Sequence, residues 1–148
     1  MLAVVQRVKH ASVQVEGLVQ GQIEQGLMVL LGISEQDSER DALYMATKIP
    51  ALRIFADEQG KMNRSVQDTG GNILLISQFT LIADTAKGHR PSFMGAAKPD
   101  KAIPLYEKVI EQISQKMGFD IQTGVFGADM QVSLQNDGPV TIILNSHG

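Results

Sequence analysis

The chain has 148 residues, 43% of them hydrophobic and 20% charged, with a formal net charge of -3 and no cysteine. That length suits one domain, residues 1–148, with no need of a disulfide or metal staple, and the lack of cysteine excludes a disulfide framework, thiolate catalysis and cysteine-ligated zinc. The acidic balance argues against a sequence-independent grip on long nucleic acid, DNA included, because such affinity comes mainly from phosphate neutralisation.

From Leu2 to Leu31 the pattern is strand-like. Val13 and Val15 alternate with Ser12 and Gln14, glycines punctuate at 17, 21 and 26, and Leu27-Met28-Val29-Leu30-Leu31 reads as a buried strand. The opening Met1–Val5 run is too short for a signal segment, and no stretch approaches about 18 apolar residues, so no membrane contact and a cytoplasmic location are expected. Ser34 to Asp41 carries helix-start residues, and Ala42, Met45, Ala46 and Ile49 then recur at helical spacing up to Pro50.

Leu52 to Phe55 predicts a strand. The run from Ile73 to Leu81 predicts a central one: four unbroken apolar residues suggest burial on both faces, and Ser77, Gln78 and Thr80 then place polar groups at its end, where a cleft is expected. Ala83 to Pro99 has no period and is locally basic, with Lys87, Arg90, Lys98 and Lys101 in or beside it; this is a long loop, either simply solvated or making a few phosphate contacts.

Pro99-Asp100 opens the strongest helix, with Ala102, Leu105, Tyr106, Val109, Ile110, Ile113 and Met117 on one face, Pro104 expected in the first turn, and Gly118 as the stop. Ile121 to Phe126, Met130 to Gln135 and Val140 to Leu144 follow as strands, with Asn136-Asp137-Gly138 as a hairpin signal between the last two. Strands and helices mix without a βαβ rhythm, which predicts an α+β fold, a mixed sheet with two main helices packed on it.

His10, His89 and His147 lack a paired-ligand spacing, so each is assigned a surface or loop role and neither a metal nor a cofactor is expected. Candidate chemistry lies instead in Ser77-Gln78-Phe79-Thr80 and in Gly138-Pro139. Thr80 taken alone is an ordinary strand threonine, and its segment holds no base to activate the hydroxyl. Backbone N–H groups at Phe79 and Thr80 could hold a developing oxyanion, a role set by geometry and not by side-chain pKa. Gly138-Pro139 reads either as the exit of a turn or, since X-Pro is the one common place for a cis peptide, as a rigid backbone wedge.

These segments stand in order with Gln6-Arg7-Val8, Gly60-Lys61-Met62-Asn63, Arg90-Pro91-Ser92-Phe93 and Ala128-Asp129-Met130-Gln131-Val132-Ser133-Leu134, and over its whole length the chain resembles the D-aminoacyl-tRNA deacylase family. The resemblance implies an intertwined homodimer in which a cis Gly138-Pro139 enters the partner's pocket beside Ser77, Gln78, Phe79 and Thr80. It implies Arg7 as the anchor of that wedge and places Met130 with Gly138 and Pro139 in the substrate-binding set.

The implied reaction is hydrolysis of the ester joining a D-amino acid to the 3′-terminal adenosine of tRNA, with mischarged glycyl-tRNA also accepted and L-aminoacyl-tRNA rejected. A non-enzymatic dimer that binds tRNA or a small RNA is the alternative. A general esterase or peptidase with Thr80 as nucleophile is a third.

Overall fold

The computed structural model describes residues 1–148. Its elements are β1 (Leu2–Val15), β2 (Leu18–Ile23), β3 (Gly26–Gly32), α1 (Glu39–Lys48), β4 (Phe55–Ala56), β5 (Met62–Arg64), β6 (Asn72–Ser77), α2 (Pro99–Met117), β7 (Gln122–Thr123) and β8 (Gln131–Asn145), with short 3₁₀ turns at Ile49–Ala51 and Phe79–Leu81. Six strands form one mixed sheet. β1 pairs antiparallel with β2, β3 and β8, whereas β3–β6 and β6–β7 are parallel. The expected α+β class is therefore observed, and no helix is long and apolar enough to cross a membrane.

The unbroken apolar runs of β3 and β6 are explained by burial on both faces. Leu27, Val29, Ile73 and Leu75 point into the larger core shared with α1 and α2, while Met28, Leu74 and Ile76 point into a second core with Val8, Ala11, Val13 and Ile23. This is the period of two expected of a strand covered on both sides. The sheet curls into a nearly closed barrel around the second core. Its ends meet where the Gln22 N–H donates to the Gln122 side chain (3.3 Å), and a Cβ on Gly21 would lie 2.7 Å from the Thr123 carbonyl.

Both helices bury the faces read from the sequence, and Gly118 closes α2 in the left-handed region at φ 82°, with its N–H bonded to the Ser114 carbonyl. Pro104 differs: it is the sixth residue of α2, beyond the first turn, so the helix forgoes one backbone hydrogen bond there. Two expected strands shrink to two residues each, Phe55–Ala56 and Gln122–Thr123.

The hairpin at Asn136-Asp137-Gly138 does not form. β8 is one strand of 15 residues whose two halves both pair with β1, and the register jumps from Val8↔Asn136 to Gln6↔Thr141, so residues 137–140 bulge out opposite Arg7. A hairpin needs its flanks to pair with each other, and the 14-residue β1 offers both flanks a longer partner.

At the head of α1 the Asp41 carboxylate accepts the Ser38 N–H (2.9 Å). Burial pushes this carboxyl up, but hydrogen bonds from Ser146 and Ser38 and the charges of His147 and the Met1 ammonium outweigh it, holding Asp41 below its ordinary 3.8. A depressed folded-state pKa stabilises above the unfolded value and is lost as pH falls through the folded one. Urea midpoints should therefore drop below about pH 4, and Asp41→Asn should flatten that acid limb in urea melts from pH 6 to pH 3.

Candidate active site

A cavity of about 250 Å³ opens at the C-terminal end of β6, between Ser77, Gln78 and Phe79 on one side and the Phe126–Met130 segment on the other. Leu31, Ile33 and Ile76 form its apolar floor. Parallel pairing with β3 sets the first wall: Ser77 lies opposite Leu31, and the Gln78 N–H continues the ladder onto the Leu31 carbonyl at 2.8 Å. Gly32 admits this approach, since a Cβ there would stand 3.0 Å from the Gln78 carbonyl.

The expected strand to Leu81 ends at Ser77, and Phe79–Leu81 turns as a 3₁₀ helix. Opening residues of such a turn have no carbonyl within it for their N–H groups, and Gln78 supplies no side-chain cap. The Phe79 and Thr80 N–H groups therefore have no carbonyl partner inside the turn, and Phe79 lines the cavity. The Gln78 side-chain amide donates to the Thr80 hydroxyl, which fixes both groups at the rim.

On the second wall the Met130 sulfur covers Gly124, where a Cβ would stand 2.6 Å away. Phe126 leans on Tyr106, with ring centroids 5.6 Å apart, and the Tyr106 hydroxyl donates to the Leu75 carbonyl at 3.2 Å. Burial pushes the Tyr106 phenol up to about 12, so it stays a protonated donor.

Asp129 is the single ionisable side chain among the lining residues. The sequence reading did not place Phe126, Gly127, Ala128, Asp129, Ala97 or Ala102 at the site. Gly127 to Asp129 sit on a coil between β7 and β8, where no periodic signal exists to find them, and Phe126 ends an expected strand that is observed only as Gln122–Thr123.

The structure therefore brings together Ser77, Gln78, Phe79 and Met130, with Thr80 just beyond. Arg7, Gly138 and Pro139 form a separate group and do not line this cavity. There Arg7 Nε donates to the Asp137 carbonyl (3.0 Å) and Nη1 to the Ile54 carbonyl (2.7 Å), and the guanidinium also lies 3.7 Å from the Asp137 carboxylate. The Gly138-Pro139 peptide is cis, and both residues are exposed.

His147 is exposed in a turn, as expected of a surface or loop residue, and it also makes ionic contacts. Its Nε2 lies 2.7 Å from Asp37 and 3.4 Å from Asp41, in a cluster where Asp37 already takes the Met1 ammonium (2.6 Å) and the Ser34 N–H (2.7 Å). This is a clasp between the chain ends and the approach to α1, remote in sequence and so invisible to spacing.

A small apolar cavity with hydroxyl and amide side chains at its edge lies at one end of this curled sheet. The same fold appears in a solved probable eukaryotic D-amino acid tRNA deacylase (TM-score 0.82, 16% identity, 97% of each chain). It also appears in a solved c-Myc DNA unwinding element binding protein (TM-score 0.91, 45% identity, 98% of each chain).

Residues 4–145 match the family model described as D-Tyr-tRNA(Tyr) deacylase, and the chain belongs to that family. It is 58% identical to the D-aminoacyl-tRNA deacylase of Bacillus velezensis over 99% of both chains, and 57% identical to that of Thermus aquaticus over 99% of this chain and 95% of the relative.

Proposed function

We propose that this chain, acting as one domain, hydrolyses the ester of D-aminoacyl-tRNA to free D-amino acid and tRNA. The match along nearly the whole of both chains to proteins named for that activity carries the reading. Water adds to the ester carbonyl, the carbon–oxygen bond to the ribose breaks, and the leaving ribose oxygen takes up the proton. The Phe79 and Thr80 N–H groups hold the oxyanion, each such donor contributing about 3 kcal/mol. An aminoacyl ester is already activated, so orientation and charge stabilisation suffice, and the adenosine 2′-hydroxyl can relay the proton.

Chirality is read by exclusion. Gly138 and Pro139 of a second copy enter the cavity beside Ser77 and Met130 and deny space to an L side chain, while D-amino acids and glycine fit. Two features support a homodimer. Gly138 and Pro139 point to solvent and away from their own cavity, and β8 pairs on one side alone, leaving an edge of 15 residues along which Ile143 is 68% exposed.

Under single-turnover conditions a D-aminoacyl-tRNA should lose its amino acid at least about 100-fold faster than the L form, the reach of a site that rejects by steric and polar misfit. Equal lifetimes with and without protein would end this reading. Thr80→Ala should cost no more than about tenfold, the worth of one hydrogen bond, and trap no covalent adduct in the parent protein; complete loss, or a captured acyl-Thr80, would make Thr80 the nucleophile.

A further inference from the structure

Tyr106 is a buried phenol on the inner face of α2, 4% exposed, and it takes no part in the hydrolysis. Its hydroxyl donates to the Leu75 carbonyl at 3.2 Å, and the Gly124 N–H meets the same oxygen at 3.3 Å. Leu75 and Thr123 are the last pair of the β6–β7 ladder, so this oxygen stands where the chain leaves the sheet as the second cavity wall. The Gly124 N–H alone would satisfy the buried carbonyl, and the phenol fills its second lone pair. Polar satisfaction therefore does not require the hydroxyl.

What the hydroxyl does is hold the root of that wall. Gly124 is the seat of Met130, since a Cβ there would stand 2.6 Å from the Met130 sulfur. The Tyr106 ring meets Phe126 at 5.6 Å between centroids. One side chain thus grips the wall at two points, through Gly124 beneath Met130 and directly at Phe126, and both Met130 and Phe126 line the cavity. Within the wall the Ala128 N–H donates to the Val125 carbonyl (3.2 Å), a bond that closes a turn but ties it to neither sheet nor helix.

We infer that Tyr106 is the positioning residue of this wall: it fixes the clearance between Met130 and the Gly138-Pro139 of a second copy, and so sets how strictly an L side chain is shut out. This rests on the reading of the cavity as a D-aminoacyl-tRNA deacylase site gated in trans. Exclusion by contact is steep in distance. A wall that yields by about 0.5 Å relieves a clash, whereas a group that already fits loses only about a quarter of each dispersion contact.

The test uses single-turnover hydrolysis of D-tyrosyl-tRNA and L-tyrosyl-tRNA, each corrected for the rate without protein. Tyr106→Phe keeps the ring and leaves no buried group without a partner, so Tm should fall by only about 2–4 °C, the worth of one hydrogen bond in a domain of this size. The D reaction should slow by about threefold and the L reaction should quicken by about threefold, so that the ratio shrinks by roughly tenfold, the upper worth of one hydrogen bond. Tyr106→Leu loses the ring contact with Phe126 as well and should shrink the ratio further.

Ile113→Val is the control, at a fully buried position of the same helix that does not line the cavity. It costs a comparable stability and should leave the ratio unchanged. A looser or partly unfolded protein slows both reactions together, so a quicker L reaction is a signature that packing loss does not produce. An L reaction that stays level or slows in Tyr106→Phe, or an equal change of ratio in Ile113→Val, overturns the assignment, while hydrolysis of D-tyrosyl-tRNA by the parent leaves the functional reading standing. A parent protein that hydrolyses neither form, or both alike, would instead sink the functional reading itself.

Discussion

Gly138→Ala should lower kcat/KM for D-aminoacyl-tRNA by about 100-fold or more, because a displacement near 1 Å at a positioning group costs that much. Gly138 has φ +128°, a region that L side chains rarely adopt, so alanine is strained there by about 1–3 kcal/mol. Space is lacking as well: the new Cβ would stand 3.0 Å from Arg7 Nη2, 3.0 Å from Val140 Cγ2 and 3.1 Å from the Val140 nitrogen.

Arg7 cannot simply yield, because its other nitrogens hold the Asp137 and Ile54 carbonyls. The bulge of β8 must move instead, and with it the wedge of the proposed gate. Arg7→Lys should give a smaller loss of the same kind, since an ammonium cannot reach two carbonyls with a fixed fork. Both variants should shrink the ratio of D to L hydrolysis.

Subunit mixing separates a wedge acting in trans from one acting in cis. Ser77→Phe should fill the cavity and be inactive by itself, since Ser77 lines it. Mixed with Gly138→Ala it should recover about a quarter of the parent activity, because half of the random dimers are hybrids with one intact composite site. No recovery from exchanged subunits would overturn a wedge acting in trans, and full activity in Gly138→Ala would remove Gly138 from the gate.

What the sequence made legible follows from how local each cause is. β3 and β6 could be read because four or five unbroken apolar residues fit a strand covered on both faces, and α2 because its stripe runs over more than four turns to a glycine stop. The fate of Phe79 and Leu81 could not be read. Their spacing continues the strand pattern, and only the close approach of Gly32 to Gln78 shows the chain leaving the ladder.

Asn136-Asp137-Gly138 misled for the opposite reason: a strong local turn signal gave way to a longer tertiary partner, β1. The site shows the same division. Ser77, Gln78, Phe79 and Met130 carry motif and position together, whereas Phe126 to Asp129 reach the cavity along a coil whose path depends on β7 and β8. The two halves of the proposed gate were legible through resemblance. Spacing alone does not link Gly138 to a cavity it does not line.

The largest loss of stability is expected at a residue that does not line the cavity, in Asp37→Ala. This carboxylate is 2% exposed and neutralises the Met1 ammonium, itself buried, at 2.6 Å, while accepting the Ser34 N–H and facing His147. Removing one member of a buried pair leaves the other charge without compensation, at a cost of about 3–5 kcal/mol. For a domain of this size that lowers Tm by roughly 10 °C.

The position of the clasp explains why so much rests on it. The Ser146 N–H donates to the Met1 carbonyl, Leu2 pairs with Asn145, and Met1 packs into the core beneath α1, so Asp37 fixes the sheet edge to the helix layer. His147→Ala should cost under about 1 kcal/mol, because that partner is 46% exposed and its pairing is screened by solvent. Thermal melts rank the two variants, and kcat/KM at 25 °C should stay near the parent value in both, since neither residue lines the cavity. Equal melting temperatures for Asp37→Ala and the parent would show the ammonium finding water, and the clasp would then be a contact without consequence for stability.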